Sequence, residues 1–150
     1  MPAEARGQSD IEMKRREISF QLRNSPAELN GISRYLEVFA QSEGLSKETT
    51  LKINLCIEEC FINIVSHGYQ DNEEHWIEIT LTREDKKFIV CIEDDGISYN
   101  PTETAAPDIT CPFEEKKVGG LGVHLMKHFM DNIEYQRRSN KNILVMTKNI

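Results

Sequence analysis

Two stretches, "WIEITLTRE" (Trp76 to Glu84) and "KKFIVCIED" (Lys86 to Asp94), constrain the fold of this chain most. They read as two strands joined by a short polar turn around Asp85 and Lys86. A strand pair needs further strands or helices to bury its apolar face. Upstream, "EISFQLRN" sets Ile18, Phe20 and Leu22 against polar neighbours, the period of two that marks another strand. Near the end, "IEYQRR" and "NILVMTK" form a second strand pair turning at Ser139–Asn140. Helical patterns fall between these strands. "SPAELNGISRYLEVFAQSEG" has Ser25 as N-cap and Pro26 in the first turn, spaces Leu29, Ile32, Leu36 and Phe39 helically, and stops at Gly44. A longer helix starts near Ser46 and runs to Gly68 as its C-cap, and a third opens at "GGLGVHLMKHFMDN". This order predicts an α+β fold, a two-layer sandwich with helices on one face of a mixed sheet. Residues 1 to about 15 read as a flexible tail, and 16–150 as a single domain.

Composition removes several classes of function. The 39% hydrophobic and 29% charged fractions are those of a globular protein. No apolar run approaches the roughly 20 residues that span a bilayer. The opening "MPAEARGQSD" lacks the apolar segment of a secretory signal, so a cytoplasmic location is expected, with no membrane partner. A net charge of -7 argues against direct nucleic-acid binding, so any phosphate ligand would need a specific pocket. Cys56, Cys60, Cys91 and Cys111 lack the spacing of a metal or redox motif and read as small buried thiols. No HExxH-type ligand set exists for a zinc hydrolase.

Three constellations carry chemistry. On a wheel of about 100° per residue, the helix through "EECFINIVSHGY" gathers Ile53, Ile57, Phe61 and Ile64 on one side. Glu59 and Asn63 lie about 40° apart on nearly the opposite side, whereas Glu58 is about 140° from Asn63. The geometry therefore pairs Glu59 with Asn63, either as a solvated face or as a site. In "IVCIEDDGISYNP" a strand delivers Asp94 and Asp95 into a turn at Gly96. An aspartate there can accept from an exocyclic amine, and the glycine lets a flat ligand approach; the same pair also makes an ordinary turn. In "KKVGGLGVHL", Gly119, Gly120 and Gly122 cluster where a long loop meets a helix. Backbone N–H groups at such a start can cradle phosphates, with Lys116 and Lys117 just upstream. His124 and His128 lie on the polar side of that helix, and His67 precedes a helix end.

The three pieces in this order resemble the GHKL ATPases with their Bergerat fold, and most closely the bacterial anti-sigma factor serine/threonine kinases of the RsbW-like branch. "EECFINIVSHGY" is similar to the N box of that branch, which ends in His-Gly-Tyr. "EDDGISYNP" is similar to the first glycine box, and "GGLGVHLMKHFMD" to the second, with Met130–Asp131 after its glycines. The resemblance spans roughly residues 17 to 148. It implies Glu59 as general base and Asn63 as ligand of the magnesium ion. It implies Asp94 on the adenine amino group with Gly96 beside the base, and Gly119, Gly120, Leu121 and Gly122 around the phosphates. Thr147 is matched to an adenine-side threonine, and residues from Ser98 to about Val118 to the ATP lid. The implied cofactors are ATP and Mg2+, and the implied partners a sigma factor and a phosphorylated anti-anti-sigma (STAS) protein. The implied assembly is a homodimer, for which Leu29, Ile32, Tyr35 and Leu36 are the candidate surface. Two departures stand out: Ser98 where relatives commonly have a second glycine, and no glycine before the threonine in "NILVMTKN". The alternative is a non-catalytic, nucleotide-sensing module that regulates a partner by binding.

Overall fold

The computed structural model describes residues 15–103 and 120–150, with backbone alone for residues 120–122. The expected tail up to residue 14, Cys111, Lys116, Lys117, Gly119 and most of the expected lid lie outside the described residues. The chain runs β1 (Arg15–Arg23), a 3-10 turn (Pro26–Glu28), α1 (Leu29–Ser42), α2 (Lys47–His67), β2 (Trp76–Glu84) and β3 (Lys87–Asp94). A second 3-10 turn (Pro101–Glu103) is followed by α3 (Gly120–Phe129), β4 (Asn132–Arg138) and β5 (Lys141–Asn149). The five strands form one sheet in the order β1-β2-β3-β5-β4.

The two-layer α+β sandwich is the expected one, with one correction. Every strand pairing is antiparallel, where a mixed sheet was expected. The cause is the last hairpin. The crossover through α3 makes β4 run in the same direction as β3, but β4 lies at the sheet edge and β5 folds back between them. That hairpin turns through Ser139 and Asn140, both at positive φ, the backbone twist that matches a two-residue connection. Asp85, also at positive φ, turns the β2–β3 hairpin.

Local chemistry sets the helix bounds. Ser25 Oγ accepts from Ala27 N at the start of the first 3-10 turn, and Gly44, at φ 77°, follows the end of α1. Ser46 caps α2 by accepting from Thr49 N, which satisfies one of the unpaired first-turn donors. Gly68 caps its other end with right-handed backbone (φ -76°), its N–H donating to Ile64 O at 2.8 Å. Helix α3 stops before Met130, and Asn132 belongs to β4, because Asp131 N donates to Thr147 O on β5.

The buried apolar side chains of β2, β3 and β5 face the helices. Ile77, Ile79 and Leu81 of β2, Phe88, Val90 and Ile92 of β3, and Leu144 and Met146 of β5 meet Ile53, Ile57 and Phe61 of α2 and Met126 of α3. Helix α2 lies between α1 and α3. On its α1 side, Ser33 Oγ donates to Asn54 Oδ1 and Glu58 Oε1. On its α3 side, Lys52 Nζ lies 5.8 Å from the Phe129 ring centroid. Of the self-association surface expected on α1, Ile32 and Leu36 are fully buried and Leu29 packs on the core, whereas Tyr35, stacked on Phe20 at 4.5 Å, stays half exposed. Tyr35 and Val38 leave apolar surface of α1 open to solvent. Cys56 and Cys60 are buried thiols, as expected, and burial pushes Cys56 up to about 12. No helix among the described residues is long and apolar enough to cross a membrane.

The orientation of α2 is open to a direct check. Phe61→Ala, at a fully buried position, should cost about 3–5 kcal/mol in urea unfolding, whereas Leu51→Ala, 58% exposed, should stay within about 0.5 kcal/mol of the parent.

Candidate functional site

The site grows from two elements that end at the same place. Helix α2 finishes at Gly68, and β3 finishes at Asp94 and turns through Gly96. Ile97 N donates to Gly68 O at 2.8 Å, tying the two ends together. The approach is close enough that a Cβ on Gly96 would sit 2.6 Å from Gly68 O and 2.9 Å from Asp94 Oδ1. Here the glycine is required by contact and not by φ. The negative charge of Asp94 reaches Cys60, less than one helical turn before Asn63, and adds to the burial that raises that thiol.

The α3-facing side of α2 carries the next part. Lys52, Glu59 and Asn63 share this side by helical spacing, and Lys52 already reaches Phe129 there. Glu58 points the other way and is held by Ser33 and Asn54, so it is structural. Glu59 is half-buried, and Asn63 is buried to 9% exposure. Neither side chain has a hydrogen-bond or ion-pair partner among the described residues. Since no fully buried polar atom among the described residues lacks a partner, the Asn63 amide keeps an opening through which solvent or a ligand can reach it.

Asp94, 5% exposed, has one oxygen committed. Its Oδ1 accepts from Gly96 N at 2.9 Å and from Asn142 Nδ2 at 3.0 Å. Burial raises its pKa, and the two hydrogen bonds act against that. Its Oδ2 has no hydrogen-bond partner among the described residues. Asn142 stands directly across from Asp94 in the β3–β5 register. Its Nδ2 also donates to Ile97 O at 2.7 Å, while its Oδ1 accepts from Tyr135 Oη (2.5 Å) and Arg137 Nη1 (3.0 Å). Arg137 Nη1 donates to Gly96 O as well, and Ser98 Oγ lies 3.4 Å from Tyr135 Oη.

The structure therefore brings Asp94 and Gly96 to the end of the helix that carries Glu59 and Asn63. It places Gly120, Leu121 and Gly122 in the first turn of α3, the helix facing that side. Gly119 lies outside the described residues. Thr147 is not brought in: it pairs with Ile89, five residues along β5 from Asn142, about 17 Å away at strand spacing. Without a glycine to mark the register, nothing local distinguished it. Asn142, Tyr135 and Arg137 were missed. A polar residue at the position that alternates with Leu144 and Met146 on the buried face was the available signal. His67, His124 and His128 are exposed.

The expectations also passed over a cluster on the α2–β2 connection. His75 stacks on Tyr69 at 4.0 Å, its Nε2 lies 2.8 Å from Asp71 Oδ1, and its Nδ1 lies 3.4 Å from Asp95 Oδ1. Tyr69 Oη donates to the same Asp95 oxygen at 3.0 Å. Asp71 raises the pKa of His75, and His75 lowers that of Asp71. The cluster is a second tie between the end of α2 and the Asp94–Gly96 turn.

Residues 22–148 match the histidine kinase-like ATPase domain family. The chain belongs to that family. It is 33% identical over 113 residues to a Bordetella bronchiseptica protein named serine/threonine-protein kinase BtrW, covering 75% of this chain and 80% of that protein. It is 30% identical over 94 residues to the anti-sigma F factor of Bacillus subtilis, covering 63% of this chain and 64% of that factor. A solved Mycobacterium tuberculosis structure containing RsbU and RsbW domains superposes with a TM-score of 0.62 at 12% identity. It covers 89% of this chain and 32% of that one, so it speaks for the fold alone. The family implies ATP binding.

The His75 cluster makes a pH-dependent contribution to stability. With its folded pKa raised, His75 contributes fully below its ordinary value of about 6.5 and loses that contribution as pH rises through the folded value. The stability difference between the parent and His75→Gln, measured by chemical unfolding, should therefore be larger at pH 5.5 than at pH 8.5.

Proposed function

We propose that this chain is an anti-sigma regulatory factor with serine/threonine-protein kinase activity, transferring phosphate from ATP to an anti-anti-sigma (STAS) partner. The observation that carries the reading is the unengaged pair Glu59 and Asn63 on the α3-facing side of α2, beside a buried Asp94 with one free oxygen. The relatives named serine/threonine-protein kinase and anti-sigma F factor support it. In the same reading a sigma factor is the sequestered partner, and the protein works in the cytoplasm as a homodimer.

Each side chain has a task. Asp94 Oδ2 accepts from the amino group of the adenine, and Gly96, lacking a Cβ, lets the turn beside it close onto Gly68. First-turn N–H groups of α3 at Gly120, Leu121 and Gly122 have no intrahelical acceptor and can bind phosphate oxygens. The donor set fits a hard cation: Asn63 offers an amide oxygen that the described residues leave unused. Asn63 would hold Mg2+, which supplies neutralisation of phosphate charge. Glu59 accepts the proton of the partner's serine hydroxyl, and its lack of competing contacts keeps it available.

Calorimetry with ADP, with and without magnesium, and labelled-phosphate transfer from ATP to a purified STAS protein test this together. Asn63→Ala should weaken magnesium-dependent ADP binding by about tenfold or more. Glu59→Gln should leave binding within about twofold and reduce transfer by about 10²–10⁴-fold. Transfer by Glu59→Gln at the parent rate would remove that residue from the mechanism. Nucleotide binding with no transfer to any STAS protein would favour the non-catalytic module.

A further inference from the structure

The network around Asn142 does more than fill space. Asn142 and Asp94 are both buried and face each other across adjacent strands. An asparagine amide can be turned either way, and here its surroundings decide. Tyr135 Oη and Arg137 Nη1 both donate to Asn142 Oδ1. The amide nitrogen must then point to Asp94 Oδ1 and Ile97 O, where it finds acceptors at 3.0 and 2.7 Å. Turned over, the amide would face two acceptors with its oxygen and two donors with its nitrogen.

We infer that Asn142, oriented by Tyr135 and Arg137, is the positioning residue that makes Asp94 a purine-base acceptor selective for a 6-amino over a 6-oxo group. This rests on the reading of Asp94 as the base-binding carboxylate. Donors from Asn142 and Gly96 saturate Oδ1 and fix the carboxylate plane, so Oδ2 alone is presented. An ionised oxygen there accepts from an amino group and repels a ring carbonyl. Without the Asn142 donor, burial favours the protonated acid, which can turn and donate to a carbonyl. The same amide, with Arg137, holds Gly96 and Ile97 by their carbonyl oxygens. It thereby anchors the turn that lacks a second glycine at Ser98.

The charged and titratable groups facing Asp94 come from three elements. Asp95 adjoins it in the turn and Arg137 approaches from β4, while Cys60 and Tyr69 on the α2 side have raised pKa values and stay neutral. Asp95 disfavours the ionised form of Asp94, and Arg137 and Asn142 favour it.

The test is calorimetric binding of magnesium ADP and magnesium IDP to the full chain between pH 5.5 and 8.5, for the parent, Asn142→Leu and Tyr135→Phe. The parent should prefer ADP over IDP by about tenfold or more. Asn142→Leu should cut that preference to within about threefold and move the half-loss of ADP binding to higher pH. Tyr135→Phe, which frees the amide without touching Asp94, should move both in the same direction by less. It decides the matter if Asn142→Leu does not fold. A parent that binds neither nucleotide overturns the base-binding reading and this inference with it. A parent that prefers ADP, with preference and pH dependence unchanged in the folded variants, overturns the role of Asn142 alone.

Discussion

The hydrogen bond from Ile97 N to Gly68 O is the contact on which the site depends. It joins the end of the long helix to the end of a central strand, and Gly96 must lack a Cβ for the two backbones to come so close. Every candidate side chain of the site is positioned from this junction. Asp94 lies just before it on one side, and Asn63 and Glu59 lie one to three turns back on the other. Residues on different secondary-structure elements hold each other in place through main-chain atoms, which have little freedom to drift.

Around that junction the protein arranges polar groups in two tiers. Asn142, Tyr135, Arg137 and the Gly96 amide satisfy one another and Asp94 Oδ1. Asp94 Oδ2, the Asn63 amide and the Glu59 carboxylate are left without partners among the described residues. A buried network whose members are satisfied is rigid, and rigidity here serves to aim the atoms that are not. The contrast between Glu58 and Glu59 shows the same logic on one helix: adjacent carboxylates, one tied to α1 and the other unoccupied beside α3.

Much of this was legible in the sequence because it depended on local pattern. Ser46 and Gly68 bound the long helix, Ser139–Asn140 mark a hairpin, and about 100° per residue separates Glu58 from Glu59. What escaped depended on register between distant strands. Thr147 carried the right chemistry on the wrong part of β5, whereas Asn142 took the place opposite Asp94. Alternation with Leu144 and Met146 marked Asn142 as facing the core, but which residue of β3 it would face depended on register. The same limit hid the antiparallel course of the sheet, since strand direction was readable and strand neighbourhood was not. The His75 cluster escaped because it is built by a loop folding back on Tyr69 and Asp95, a contact no periodicity announces.

The placement of β5 between β3 and β4, although it follows both in the chain, has a consequence for synthesis on the ribosome. A growing chain can form the β2–β3 hairpin, pair β1 with β2 across the two intervening helices, and pack α1 and α2 on these three strands before the last hairpin appears. The β3 edge stays unpaired until the final hairpin emerges and β5 docks beside it, a non-local pairing like that of β1 with β2. Until then Asp94 has no Asn142 across from it, and the edge of β3 is exposed. A nascent chain thus lacks the ordered network around Asp94, and the bare β3 edge is where a chaperone or an intruding strand would engage it.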